Sequence, residues 1–366
     1  MKIPYVNLKK QWKKERLDLL KIIDKVLLND NWVNGNEINK FENNIKKICK
    51  TKYCIALNSG TDALTLGMHV LGVKRGDEVI TTSNSFVAST ATIIHLGATP
   101  VFVDVLDNQC VDHNKIEQAI TKKTKAIMII HLGGRMPEMD KILKISKKYQ
   151  IPIIEDAAQS IGSMYKGKPS GSFGEVSCFS AHPLKNLNAV GDAGYICTNN
   201  KTIYQKIHRL RNHGQINRNV VESFGYVSRM DTIQAAILNY RLKNLKSIIN
   251  QRQINAKIYQ KHLNQKHIYF TKDPKYIYNT YHTFVIQVKE RDKLQKYLER
   301  HRIQTSIHYP VPIHLLTASK KNNIKFINLN TTTSQSKRIL TLPINQFLKE
   351  QEIVYICNLI NKFYEK

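Results

Sequence analysis

Glu155-Asp156-Ala157-Ala158-Gln159 is followed by Gly171-Ser172-Phe173-Gly174, then Ser180-Ala181-His182-Pro183-Leu184-Lys185-Asn186-Leu187, then Gly191-Asp192-Ala193-Gly194. The acidic pair closes an apolar run, and the lysine lies in a polar turn just after a second run ending at Ser180. Outward from this stretch, short β-rich runs at residues 53–57, 78–82, 101–105, 125–131, 152–156, 176–180 and 194–198 alternate with helical patterns, including 86–96 and 138–149. Such alternation predicts an α/β fold, with a mostly parallel sheet covered by helices on both faces. In an open parallel sheet, ligands bind beyond the carboxyl ends of the strands, so Asp156 and Lys185 are expected at one crevice.

Residues 11–29 and 35–49 read as two amphipathic helices separated by the turn Asn31-Trp32-Val33-Asn34-Gly35. Residues 229–263 carry a long helical pattern with no internal Gly or Pro. Beyond it, strands at 282–288 and 305–308 and helices at 291–300 and 348–364 predict a compact C-terminal α/β unit, and the polar stretch 328–336 reads as a loop. The expected division is a large domain over residues 1–250 and a smaller one over 251–366.

At 366 residues the chain is long enough to bury a large core. Lys and Arg total 56 against 28 acidic residues, a net charge of +28. Because the lysines are scattered as pairs through helical patterns, they read as solvated faces, and no nucleic-acid partner is expected. The positive field would steer an anionic substrate toward its cleft. The six cysteines form no CxxC pair and no zinc spacing. No apolar run approaches the ~18 residues of a membrane span, and no signal-peptide core follows Met1. A cytoplasmic enzyme without a membrane partner or bound metal is expected.

A lysine and a strand-end carboxylate in one crevice are the parts a pyridoxal phosphate enzyme needs. The lysine forms the imine with the aldehyde, and the carboxylate keeps the pyridine nitrogen protonated so that the ring draws electrons from the reacting carbon. For the phosphate, Gly60 and Thr61 at a predicted helix start offer backbone N–H groups, a hydroxyl and the positive end of the helix dipole. Taken alone, a Gly-Thr pair or an acidic strand end is ordinary, and Phe86 at the start of a helix reads as core packing.

Order and spacing resemble the DegT/StrS family of nucleotide-sugar aminotransferases over nearly the whole chain. The matching segments include Ile3-Pro4-Tyr5-Val6-Asn7-Leu8, Asn58-Ser59-Gly60-Thr61-Asp62-Ala63-Leu64, Gly225-Tyr226-Val227-Ser228-Arg229-Met230-Asp231 and His308-Tyr309-Pro310-Val311-Pro312-Ile313-His314. The resemblance implies a fold-type I aminotransferase that moves an amino group from L-glutamate to a keto group of a nucleotide-activated deoxysugar, for amino-sugar and surface-polysaccharide synthesis. Lys185 and Asp156 would be catalytic. Gly60, Thr61, Phe86, Asp156, Gln159, Ser180 and Lys185 would hold the cofactor, with Phe86 stacked on its ring, Gln159 on its phenolic oxygen and Ser180 on its phosphate. Arg229, His308, Tyr309 and His314 would face substrate, and a homodimer would complete each site from the partner subunit.

Two departures matter. Val227 stands where relatives commonly carry an asparagine that reaches the partner's cofactor, leaving Ser228 or another group to replace it. Arg135 in His131-Leu132-Gly133-Gly134-Arg135 stands where relatives carry other residues, and either meets substrate or caps a loop. The motifs leave the keto position at carbon three or four and the nucleotide as dTDP, UDP or GDP, with the His308–His314 segment favouring a dTDP-linked 3-keto sugar. Rival readings are a dehydratase, a non-sugar transaminase and a basic regulatory protein that binds nucleic acid. Dehydratases of this type replace the imine-forming lysine with histidine, so Lys185 weighs against that chemistry.

Overall fold

The computed structural model describes residues 2–29, 32–322 and 324–365. Its centre is an eight-stranded sheet in the order Tyr53–Leu57, Gly194–Thr198, Val176–Ser180, Ile153–Asp156, Thr124–Ile130, Glu78–Thr82, Thr99–Val103 and Lys325–Phe326. All neighbours pair in parallel except Gly194–Thr198, which runs antiparallel to both of its partners. The expected α/β architecture with a mostly parallel sheet is therefore the observed one.

Alternation along the strands builds the two faces, because successive side chains point to opposite sides. Val79, Ala126, Met128 and Ile154 pack with Leu64 and Leu66 of helix Gly60–Val70. Ile80, Ile127, Ile129 and Ile153 pack on the other face with Met139 and Ile142 of helix Met139–Tyr149. Helix Val87–His95 starts one residue later than its pattern, because Phe86 is its N-cap, with extended backbone. The N-terminal helices span Leu8–Leu28 and Asn36–Cys49. Asn31, in the turn expected between them, lies outside the described residues.

A three-stranded antiparallel sheet, Ile268–Tyr269, Phe284–Val288 and Ile339–Leu342, carries the C-terminal core with helices Leu245–His262, Arg291–Arg300 and Glu350–Tyr364. Ile3 is buried in this core, its N–H donating to Arg302 O at 2.9 Å and its carbonyl accepting from Gln304 N at 2.9 Å.

Three expectations need correction. The helical pattern over 229–263 is two helices, Thr232–Leu242 and Leu245–His262, broken at Lys243-Asn244 so that Leu238, Leu245 and Ile249 all reach one core. Residues 305–308 form no strand and contribute only a bridge between Ser306 and Thr341. Within 328–336, Asn330–Ser336 is a helix.

Candidate active site

Beyond the carboxyl ends of the central strands lies a cavity of about 390 Å³. Its walls bring together Gly60, Thr61, Phe86, Asp156, Gln159, Ser180, Lys185, His308 and Tyr309.

The start of helix Gly60–Val70 forms one wall. Ser59 caps it, its Oγ accepting from Asp62 N at 3.1 Å and its carbonyl from Ala63 N at 3.1 Å. The N–H groups of Gly60 and Thr61 have no hydrogen-bond partner among the described residues. Two donors at the positive end of a helix are thus open to an anion. The backbone crowds here. A Cβ on Gly60 would lie 2.7 Å from Ser180 Cβ, and one on Gly194 would lie 2.2 Å from the carbonyl of Ser59. Glycine at both positions lets the helix start sit against the two strand ends, which puts the Ser180 hydroxyl beside the open N–H groups. Ser180 Oγ accepts from His182 N at 3.3 Å, leaving its proton to give.

Asp156 forms the cavity floor. Its Oδ2 accepts from Ser89 Oγ at 2.6 Å, Ser89 Oγ lies 2.8 Å from Ser85 Oγ, and Oδ1 accepts from Ala158 N at 3.2 Å. The neighbouring Glu155 points to the other face and is wholly buried. Burial pushes its carboxyl up, but His131 at 2.8 Å and the N–H groups of Gly171 and Gly174 outweigh this and hold it below the usual carboxylate range. Phe173 N and Ser177 Oγ, each at 2.8 Å, complete its shell. Of the acidic pair, Glu155 therefore ties the 171–174 turn to the sheet, and Asp156 alone faces the cavity. Gln159 Oε1 accepts from Gly133 N at 2.6 Å while its Nε2 reaches Tyr309 Oη at 3.4 Å.

Lys185 enters from the turn after Ser180, whose shape is set by Lys185 N donating to His182 O at 2.8 Å. Burial pushes its ammonium down to about 8, against the opposing pull of Asp156. An amine in that range supplies a far larger neutral fraction near physiological pH than a surface lysine does, as a nucleophile or base requires. On the facing wall, burial and the charge of Lys185 push His308 down to about 4, so its ring is neutral, with Nδ1 2.9 Å from Thr341 Oγ1. Phe86 is 55% exposed, its ring centroid 6.1 Å from that of Tyr309. Lying open at a cavity wall, Phe86 is not part of the buried core.

Two expected substrate residues lie off this cavity. His314 Nδ1 is 2.7 Å from Ser83 Oγ, and Arg229 donates to Asn212 Oδ1 at 2.8 Å. Arg135 pairs with Asp273 at 2.5 Å and donates to Asn108 O, so within this chain it braces a loop. Ser228 is buried, its Oγ donating to Asn58 Oδ1 at 3.2 Å, while Val227 is 57% exposed. Sequence reading missed Ser89, His131, Arg252 and His282, all of which line the cavity. Ser89 stood in plain view three residues after Phe86, but a helical serine carries no signal of its partner. Arg252 looked like any other cation on a lysine-rich helix.

An open anion cradle, an exposed aromatic, a braced carboxylate and a desolvated amine around one cavity fit pyridoxal phosphate. Residues 13–361 match the DegT/DnrJ/EryC1/StrS aminotransferase family. Over 368 residues the chain is 34% identical to a pleiotropic regulatory protein of Geobacillus stearothermophilus, covering 100% of this chain and 99% of the relative. Over 365 residues it is 35% identical to the dTDP-3-amino-3,6-dideoxy-alpha-D-galactopyranose transaminase of Aneurinibacillus thermoaerophilus, covering 99% of each. The crystal structure of S. venezuelae DesV in complex with a ketimine intermediate aligns with a TM-score of 0.96 at 32% identity, over 100% of this chain and 99% of that one. The chain belongs to the DegT/DnrJ/EryC1/StrS aminotransferase family, with pyridoxal phosphate as its cofactor.

Proposed function

We propose that the enzyme transfers the amino group of L-glutamate to the keto group of a nucleotide-linked deoxysugar, as a homodimer in the cytoplasm. The observation that carries this reading is Lys185, an amine pushed down to about 8 in the cavity that also holds Asp156. When bound, pyridoxal phosphate supplies an electron sink for the carbon that loses its proton. Lys185 takes that proton as its neutral amine and returns it as ammonium, a shuttle that works best when the pKa lies near the working pH. Asp156 holds the pyridine nitrogen proton, oriented by Ser89 and the Ala158 N–H. Gly60, Thr61 and Ser180 would hold the phosphate, Phe86 would cover the ring, and Gln159 would meet the phenolic oxygen. His308 and Tyr309 line the side from which the sugar enters.

The nucleotide-sugar substrate is supported by the Aneurinibacillus relative, named for a dTDP-3-amino sugar. That name and the His308–His314 segment favour a dTDP-linked 3-keto substrate over a 4-keto one or a UDP or GDP sugar. Among the described residues no helix is long and apolar enough to cross a membrane, and the six cysteines are free and buried, which suits a reducing compartment. The dimer is supported by the segment before Arg229, where Phe224 is 100%, Val227 57% and Val221 52% exposed within one chain. A second chain would cover these side chains and bring Arg229 to its neighbour's cavity.

The name of the Geobacillus relative points to one other reading, a regulatory protein. Incubation with L-glutamate and a panel of nucleotide keto-sugars, read by mass, separates the two. Transamination gives an aminated sugar and 2-oxoglutarate. A protein that gives neither and binds DNA in a salt-sensitive way is the regulator instead.

A further inference from the structure

Four arginines are buried among the described residues, and three of them have a carboxylate partner. Arg211 pairs with Glu42 at 2.7 Å, Arg241 with Glu15 at 2.8 Å and Arg291 with Asp292 at 2.5 Å. Arg252 is 6% exposed and pairs with none. Its Nη1 donates to the carbonyls of Tyr281 at 3.1 Å and His282 at 3.2 Å, its Nη2 to Gln346 Oε1 at 3.4 Å, and its Nε is buried without any partner. A desolvated guanidinium bonded only to neutral acceptors is an uncompensated charge, which a fold keeps at a cost unless an anion joins it.

Arg252 lines the active-site cavity. Its hydrogen bonds go to Tyr281, His282 and Gln346, and none to Gly60, Thr61 or Ser180. Tyr5, His282 and His308 line the same cavity. His282 is half-buried, its Nδ1 buried and unpartnered, and burial, Lys185 and Arg252 together push its ring well below the ordinary range, leaving it neutral. Tyr5 stays a neutral phenol, raised by burial, its ring tilted against that of His308 with centroids 5.9 Å apart. The wall therefore offers one fixed positive charge flanked by neutral groups. Arg252 is itself pushed down to about 10 by burial, which leaves it fully charged at neutral pH.

We propose that Arg252 is the anchor for a carboxylate of the amino donor, and so the residue that makes this cavity select an amino acid over a simple amine. The inference rests on the transaminase reading above. A guanidinium meets a carboxylate through a planar pair of charge-assisted hydrogen bonds. Arg252, His282 and Lys185 line the same cavity, so a carboxylate held by Arg252 shares it with the amine that an incoming amino group must displace.

The test uses the dimeric holoenzyme and glutarate, an unreactive dicarboxylate, with binding read by calorimetry. Arg252→Gln should weaken glutarate about 10- to 100-fold and raise KM for L-glutamate by a similar factor. The cofactor absorption and the Kd of dTDP should stay within about twofold of wild type. Arg252→Lys, which keeps the charge without the fork, should fall between, and it decides the matter if the glutamine variant does not fold. Failure of wild type to bind glutarate, or unchanged glutarate affinity in both variants, overturns the proposal. So does a loss confined to dTDP, which would make Arg252 a nucleotide contact. A wild-type enzyme that binds glutarate through Arg252 but transfers no amino group sinks the transaminase reading and leaves the carboxylate anchor standing.

Discussion

Lys185 should turn reactive at a far lower pH than a surface lysine, and the midpoint measures how dry its turn is. Burial pushes it down to about 8, while the charge of Asp156 pulls the other way. Only the neutral amine attacks an electrophile, so reactivity must rise with pH and level off once deprotonation is complete. With a pKa of about 8, about one amine in ten is neutral at pH 7, against about one in 2,500 for an ordinary lysine near 10.4. The supply of nucleophile is then about 250 times larger, as an amine that must exchange with an incoming amino group at neutral pH needs. Trace labelling of the apoenzyme with acetic anhydride over about pH 6 to pH 10, peptide-mapped with Nα-acetyllysine as internal standard, reads the midpoint directly. Asp156→Asn removes the charge that favours the ammonium and should move the midpoint lower still. A Lys185 curve that climbs with the free standard would refute the reasoning.

Ser89→Ala deletes the 2.6 Å donor to Asp156, a charge-assisted bond worth about 1.5–3 kcal/mol, so kcat/KM should fall about 10- to 100-fold with the fold intact. Unchanged kinetics would mean that Ser89 does not orient the carboxylate. Gly60→Ala drives a methyl to 2.7 Å from Ser180 Cβ; overpacking of about 1–3 kcal/mol should part the helix start from the strand end and lower cofactor affinity about tenfold in equilibrium dialysis. Wild-type affinity there would contradict the cradle. Sedimentation at micromolar concentration should give a two-chain particle, its interface above ~2,000 Å², and a fully active monomer would sink the shared site.

What could be read from the sequence was what its local pattern determines. Val176–Ser180 and Gly194–Thr198 were legible to the residue, because apolar runs bounded by Gly and polar turns admit few other solutions. Asn330–Ser336 was not. Its polar Asn-Thr-Thr-Thr-Ser-Gln-Ser run has little helical drive of its own. The cap comes from Asp104, whose carboxylate accepts from Thr331 N at 2.8 Å, Thr332 N at 2.8 Å and Thr332 Oγ1 at 2.7 Å. The strand expected at 305–308 failed for the converse reason: β-rich residues there find only Thr341 to pair with. In the site, Asp156 and Lys185 could be placed because strand ends are predictable. Ser89, which bonds Asp156, and Arg252, which lines the same cavity, arrive from distant elements and leave no local mark.

The central claim is that Lys185 alone carries the cofactor. Borohydride reduction of the native holoenzyme, followed by digestion and mass mapping, should fix the cofactor on the Lys185 peptide and abolish transfer. Attachment to any other lysine, or to none, would contradict the account.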